Sequence, residues 1–188
     1  LQYFTAGGWP GGIYLSPGMA GSRSGGVIAA TWAAMISLGQ SGYLEIAKGI
    51  FDTTAKLVEG IGRIPELRIL GKPYFLVAVA SASADVNIYH VNDSLADRGW
   101  RMNGLQFPDA FHFCVTRPNT APGIIDKYLD DLAAAVEYAK AIPVDQPPKS
   151  GALYGLSGTG PEGVKVVEDL LAGAIDAFYD VPGAPPAA

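Results

Sequence analysis

The loop between Gly12 and Gly26 combines residue types that bind an anion. It is written GIYLSPGMAGSRSGG and leads directly into an apolar helical pattern, VIAATWAAMISLG. Ser22 offers a hydroxyl and a backbone N–H group, Arg23 offers a permanent cation, and a helix N-terminus adds partial positive charge. The GxxxxGK[ST] spacing of a P-loop is absent. From these residues alone, a glycine-rich turn that caps the helix is the simpler interpretation.

Tyr154 is a second candidate for binding. It stands in the loop GALYGLSG, between Gly151 and Gly155. Such a tyrosine either points its hydroxyl into a neighbouring site or pins the loop by packing, and the residues leave both interpretations open.

Histidine and cysteine predict no further site. His90 and His112 have neither HxxxH nor HExxH spacing, so we expect no metal centre. His112 lies between two phenylalanines on a predicted strand, which favours a half-buried, hydrogen-bonded ring, whereas His90 is expected to face solvent from a helix. Cys114 lies in the middle of an apolar strand and is interpreted as a small buried hydrophobe.

The carboxylates and serines also lack a catalytic pattern. There is no G-x-S-x-G nucleophile elbow. The pairs Asp130–Asp131 and Glu168–Asp169 are expected on the solvated faces of amphipathic helices.

Composition limits the class of protein. The 188 residues are 49% apolar with a net charge of −5 and no basic stripe, which argues against nucleic-acid binding. A single cysteine excludes an internal disulfide and favours a reducing, cytoplasmic setting. No apolar run reaches the roughly 18 to 20 residues that cross a bilayer. Because the chain starts with an unanchored loop and without Met, we expect it to be the C-terminal part of a longer protein.

Hydrophobic periodicity predicts a loop, two helices, a β-β-α-β-β-α order and a final helix. The expected helices cover residues 26–39 (buried nearly all round), 43–61, 85–100, 122–142 and 161–179, and the expected strands cover 67–70, 74–80, 100–105 and 110–116. A Pro/Gly-rich connector precedes the final helix, and the tail is expected to be disordered. The predicted fold is a small α+β domain of three or four strands on a long connecting helix.

The order of motifs resembles one enzyme family. W-x-G-G-x-Y-x-S-P-x-x-A-G-S-R is followed by ATWAAMISLGQSGY, RGWRMNGLQFP, FHFCVT and ALYGLSG. Over nearly the whole chain, to about residue 180, this resembles the C-terminal part of the sphingosine-1-phosphate lyases. The resemblance implies a pyridoxal-phosphate (PLP) enzyme of fold type I, with α/β and α+β parts, related to group II decarboxylases. It implies active-site loop and connecting helices in 1–62, a small C-terminal domain in 63–145, and a tyrosine loop, final helix and tail in 146–188.

The resemblance also implies roles for residues. The family forms homodimers with shared active sites, so Gly21, Ser22 and Arg23 would lie near the cofactor phosphate of the partner subunit. Tyr14 would line the pocket, and Tyr154 would bind the phosphate of the substrate. Ser24 departs from the family, which usually has proline there, and this puts the backbone pose of Ser22 in doubt.

No catalytic residue is expected in this chain. The family's Schiff-base lysine lies in a Thr-His-Lys motif upstream, and none of the seven lysines here follows a histidine. The chain alone is therefore expected to be inactive without the N-terminal portion of the enzyme. The implied reaction splits a phosphorylated sphingoid base into a long-chain aldehyde and phosphoethanolamine. A soluble cytoplasmic form is expected, and an N-terminal segment outside this sequence remains a route to membrane association.

Two alternatives stay open. A group II amino-acid decarboxylase would need a cation for the α-carboxylate, and Arg117, just after FHFCVT, is suitably placed for that. The missing lysine instead motivates a non-catalytic fragment that serves only in dimerisation.

Overall fold

A computed structural model describes residues 4–6, 10, 14–16, 21–143, 146–149 and 161–179. The chain divides into two compact units, Leu1–Ile46 and Ala47–Ala188. Tyr154 lies outside the described residues, as does the tail after residue 179.

The first unit contains a short hairpin. Strand β1 (Phe4–Ala6) pairs antiparallel with β2 (Tyr14–Ser16), with Phe4 opposite Ser16. The expectation that the whole stretch before residue 26 is loop was therefore wrong. Glycine and serine lower strand propensity, but the Tyr-Leu-Ser segment finds a partner strand ten residues earlier, which local composition does not show.

Helix α1 (Gly25–Ile61) replaces the two predicted helices. Its backbone is interrupted at Gly39, where φ is 60° and ψ is 179°. This is the position at which the sequence predicted a helix end, because glycine adopts positive φ without a steric penalty. Both halves are helical, and the change of direction occurs at a single residue.

The first half of α1 is not buried within the described residues, contrary to the expectation. Trp32 is 65% exposed. Two three-residue strands offer too little surface to cover a helix that is apolar all round. The exposed side chains include Val27, Ile28, Trp32, Met35 and Ile36.

The second unit is built on a four-stranded antiparallel sheet of order β3-β4-β6-β5. The strands are β3 (Leu67–Leu70), β4 (Leu76–Ser81), β5 (Asn103–Leu105) and β6 (Ala110–Cys114). All four were predicted: the ends of β3 agree, and those of the other strands differ by at most three residues. In register, Val77 faces Phe113 and Val79 faces Phe111, and all four side chains are buried.

Two helices complete this core. Helix α2 (Ile88–Asp97) begins later than predicted because the Asn87 side chain caps it, accepting a hydrogen bond from Tyr89 N at 2.9 Å. Helix α3 (Ile124–Lys140) follows a short 3₁₀ turn, Arg117–Thr120. The core includes Leu57 and Ile61 of α1, Val91 and Leu95 of α2, and Tyr128, Leu132 and Val136 of α3.

The final helix, α4 (Pro161–Tyr179), matches its prediction. The α+β class with a small antiparallel sheet is confirmed. The three-part division at residues 62 and 145 stays a prediction. No helix among the described residues has both the length and the apolar character that a membrane span requires.

Candidate functional site

The candidate anion site lies where residues 21–24 enter α1. Gly21, Ser22, Arg23 and Ser24 are all exposed. Arg23 folds back on its own loop: Nη1 donates to Gly21 O at 2.6 Å. The guanidinium thus remains next to the loop backbone and keeps other N–H donors for a ligand.

The start of α1 favours an anion. The first N–H groups of a helix have no partner within the helix, and their aligned dipoles carry partial positive charge. No acidic residue lies in the first turn of α1 to neutralise that charge. A Cβ built on Gly21 or Gly25 has no atom within 4 Å, so the backbone there is open to a close approach.

Ser24 occupies the position at which the resemblance described above implies proline. Its carbonyl accepts the first helical hydrogen bond, from Ile28 N at 3.3 Å. Serine is among the residues preferred directly before a helix. The substitution therefore suits the observed helix start.

These residues fit the phosphate end of a phosphorylated cofactor. They bring together one permanent cation, a hydroxyl and free helix N–H groups without a competing carboxylate in that turn. Tyr14 lies on β2 of the same unit, with its backbone opposite Ala6. Tyr154, the other tyrosine assigned to the substrate, is outside the described residues, so its predicted role stays a prediction.

Five of the seven lysines pair with carboxylates of described residues. Lys56 Nζ lies 2.5 Å from Asp126 Oδ1, and the Lys140 ammonium contacts both Glu66 and Glu137. The hydrogen bonds that Lys140 donates to Glu137 and Glu66 raise the pKa of Lys140. A lysine held in the charged form by such partners is unsuited to forming a Schiff base, which requires the neutral amine. Further pairs are Lys48–Asp52, Lys127–Asp131 and Lys149–Asp97.

His90 is buried, and the prediction that it faces solvent was wrong. It is 4% exposed, and its Nε2 lies 2.9 Å from Gln146 O. Because a carbonyl only accepts hydrogen bonds, Nε2 donates. Its hydrogen-bond partner lies in the connector, 56 residues further along the chain, and helical periodicity does not reveal such a contact.

His112 and Cys114 occupy the face of β6 that points away from the core. His112 is half-buried and hydrogen-bonded as predicted, with Nε2 3.2 Å from Asn103 Nδ2. Cys114 is exposed, so its assignment as a buried hydrophobe was wrong. The alternation of a strand puts Phe111 and Phe113 into the core and leaves Cys114 on the other face.

Arg117 begins the 3₁₀ turn after β6 and is exposed. Its carbonyl accepts a hydrogen bond from Thr120 Oγ1 at 2.7 Å. The predicted position just beyond the strand is confirmed, while a carboxylate-binding role stays a prediction.

Asp131 is not on a fully solvated face, contrary to the prediction. Its side chain is 20% exposed and accepts a hydrogen bond from Trp100 Nε1 at 2.8 Å. Asp130, by contrast, is exposed as expected.

Comparisons with known proteins find relatives over nearly the whole of this chain. The chain is 38% identical over 178 residues to a sphingosine-1-phosphate lyase of Arabidopsis thaliana and 41% identical over 176 residues to one of Oryza sativa. These alignments cover 95% and 94% of this chain. The chain is a homologue of sphingosine-1-phosphate lyases. It spans about a third (32%) of the length of these curated relatives.

Solved structures agree with the sequence relatives. A sphingosine-1-phosphate lyase of Burkholderia pseudomallei superimposes with a TM-score of 0.74 and 45% identity, over 96% of this chain and 36% of that one. A glutamate decarboxylase of Lactobacillus brevis has a TM-score of 0.58 at 18% identity, over 75% of this chain and 34% of that one, and shows a shared fold alone. No family model matches the chain. Sphingosine-1-phosphate lyases and group II decarboxylases are PLP-dependent enzymes of fold type I.

Proposed function

We propose that this chain provides the C-terminal part of the active site of a PLP-dependent carbon–carbon lyase. The substrate is a phosphorylated sphingoid base, and the products are a long-chain aldehyde and phosphoethanolamine. The observation that carries this proposal is 45% identity over 96% of the chain to a bacterial sphingosine-1-phosphate lyase.

Arg23 is proposed to bind the phosphate of PLP together with Ser22 and Gly21. A guanidinium can donate two parallel hydrogen bonds to a phosphate, and the N-terminal N–H groups of α1 add donors on the same side of the charge. The exposure of residues 21–24 and the absence of an acid in the first turn support this role.

The proposed contribution of this chain is to orient the cofactor and the substrate and to supply positive charge to the cofactor phosphate. When bound, PLP supplies an electron sink for the pair released as the substrate C2–C3 bond breaks. Tyr14 is proposed to line the pocket, and Tyr154 to donate its phenolic hydroxyl to the phosphate of the substrate. Holding both phosphates fixes the reacting carbon relative to the ring, which is the entropic part of catalysis.

We further propose that the site is shared in a homodimer and completed by the N-terminal portion of the same enzyme. Two facts support a partner for this chain. It spans about a third of its relatives' length, and the first half of α1 exposes large apolar residues such as Trp32, Met35 and Ile36. Exposed apolar surface of this kind is typical of interfaces.

The proposal is tested with the full-length protein that contains this chain, loaded with PLP. Incubation with sphinganine 1-phosphate is expected to release a long-chain aldehyde and phosphoethanolamine in equal amounts. The control incubates the same protein with glutamate and measures carbon dioxide. Carbon dioxide without aldehyde would reject the lyase in favour of a decarboxylase that uses Arg117.

A further inference from the structure

An open apolar groove lies between the second half of α1 and the turn that joins β3 to β4. Its volume is about 570 Å³, and small-molecule sites usually measure roughly 300–1,000 Å³. Phe51 of α1 and Tyr74 of the turn line it with their rings, whose centroids are 6.3 Å apart. Val58 and Ile69 add aliphatic surface. Such a lining suits an apolar chain, which gains free energy by leaving water.

Lys72 is the charged residue at this groove. It lies in the turn itself and is exposed. No carboxylate lines the groove among the described residues, and none of them pairs with Lys72. Lys165 of α4 is the other lysine that lacks a carboxylate partner in the described part of the chain. Only Lys72 therefore combines an unpaired amine with the groove.

Pairing with a carboxylate decides how readily a lysine reacts with a carbonyl compound. The neutral amine is the nucleophile, because an ammonium group has no free electron pair. A carboxylate at hydrogen-bond distance stabilises the ammonium form. The hydrogen bonds that Lys140 donates to Glu137 and Glu66 raise the pKa of Lys140 in this way. Lys72 has no described partner of this kind.

We propose that the groove binds the aliphatic chain of a long-chain aldehyde and that Lys72 forms an imine with the aldehyde carbon. The inference rests on the proposed function, which makes such an aldehyde the product. The neutral amine adds to the carbonyl carbon, and loss of one water molecule leaves a C=N bond in place of C=O. No oxidant or reductant is consumed. Binding of the chain holds the carbonyl near the amine, which accelerates the addition.

The test exposes the full-length protein to hexadecanal or to propanal and traps imines with sodium cyanoborohydride. The two aldehydes share the reacting group and differ in the chain, and mass spectrometry of peptides measures the modified fraction of each lysine. We expect the ratio of hexadecanal to propanal modification to be at least about tenfold higher at Lys72 than at Lys165, because burying two methylene groups is worth about that factor. Equal ratios at the two lysines overturn the inference.

A variant of the lining tests the groove itself. Phe51→Ser is expected to lower hexadecanal modification of Lys72 at least about threefold, because it removes apolar surface, and to leave propanal modification unchanged. Tyr138→Ser is the matched control, since Tyr138 lies on α3 outside the groove and is 45% exposed, close to the 52% of Phe51. Equal hexadecanal modification of Lys72 in the two variants contradicts the proposal. The comparison of the two aldehydes on the wild-type protein needs no variant to fold.

A second experiment uses the aldehyde that the enzyme itself releases. The PLP-loaded full-length protein is incubated with sphinganine 1-phosphate, the released aldehyde is measured, and imines are trapped as before. Modification of Lys72 in preference to Lys165 is the expected result. Release of aldehyde without that preference overturns the inference and leaves the proposed function intact. If no aldehyde is released, the proposed function fails, and the result with added hexadecanal still decides whether the groove binds a long-chain aldehyde.

Discussion

Asp131 of α3 contacts one side chain of its own helix and two from the segment that follows α2. Its carboxylate accepts from Trp100 Nε1 at 2.8 Å, pairs with Lys127 Nζ at 2.5 Å, and has Arg98 Nε at 3.8 Å. The hydrogen bond from Lys127, followed by that from Trp100, lowers the pKa of Asp131 below its ordinary value of 3.8. Trp100 in turn packs edge-on against Tyr128, whose pKa is raised by burial.

The lowered pKa of Asp131 predicts a pH-dependent contribution to stability. The folded state binds the Asp131 proton more weakly than the unfolded state, so the contribution is complete well above pH 3.8. It is lost as pH falls below that value through the folded pKa. Asp131→Asn is expected to lower the free energy of unfolding at pH 7 by about 1 kcal/mol, since the partners are partly exposed.

Denaturant unfolding of wild type and Asp131→Asn between pH 7 and pH 2.5 measures this. The difference in the free energy of unfolding between the two proteins should shrink toward zero as the pH falls to 2.5. Asp130→Asn, on the exposed neighbouring residue, is the control and should follow wild type throughout. A difference that stays constant with pH would show that the ionisation of Asp131 does not contribute.

At the residue scale, local pattern predicted the candidate anion-binding loop but did not reveal the burial of two polar residues of α2. The Gly-Ser-Arg triplet before α1 was visible because its chemistry and its neighbouring helix are adjacent in sequence. His90 and Asp93 were not, because the groups that bind them lie 56 residues further along the chain. Helical periodicity predicts which residues share a face, but not which segment will cover that face.

At the element scale, the strands and most helices could be predicted because turns and periodicity are local signals. Gly71-Lys72-Pro73 separated two apolar runs, and β3 and β4 follow. The order β3-β4-β6-β5 was not predicted, since it depends on pairing between β4 and β6 over a long separation. The hairpin of the first unit was missed because its strands are short and poor in β-branched residues.

Two glycines in the second half of α1 are expected to respond in opposite ways to replacement by alanine. A Cβ on Gly60 would clash with the Leu129 side chain of α3, whereas one on Gly49 meets Thr120 Cγ2 at an ordinary 3.8 Å. Gly49→Ala is expected to stabilise the protein by about 0.5–1 kcal/mol through helix propensity. Gly60→Ala is expected to destabilise it by about 1–2 kcal/mol, because the added methyl overpacks the contact with α3.

Denaturant unfolding of both variants measures these effects. The double variant Gly60→Ala/Leu129→Ala should lower the free energy of unfolding by less than the sum of the two single changes, since the smaller side chain removes the clash. Stabilisation by Gly60→Ala comparable to that by Gly49→Ala would contradict the close packing of α1 on α3.

At the scale of the whole molecule, the account concerns a chain that spans about a third of its relatives' length. Its second unit has a core of its own, formed by the sheet, α2, α3 and the end of α1. Its first unit carries the Gly-Ser-Arg loop and a helix half with exposed apolar residues. The central claim is that this loop binds the phosphate of PLP in the complete enzyme.

The most direct test is the dissociation constant of PLP, measured by absorbance titration of the full-length protein, for wild type and Arg23→Gln. Loss of a charged hydrogen bond to phosphate is expected to raise this constant at least about tenfold. Binding of pyridoxal, which lacks the phosphate, should be the same in both proteins. Arg63→Gln removes an exposed arginine that pairs with Glu59 and serves as the control. Equal PLP affinity in wild type and Arg23→Gln, or an equal loss for PLP and pyridoxal, would contradict the claim.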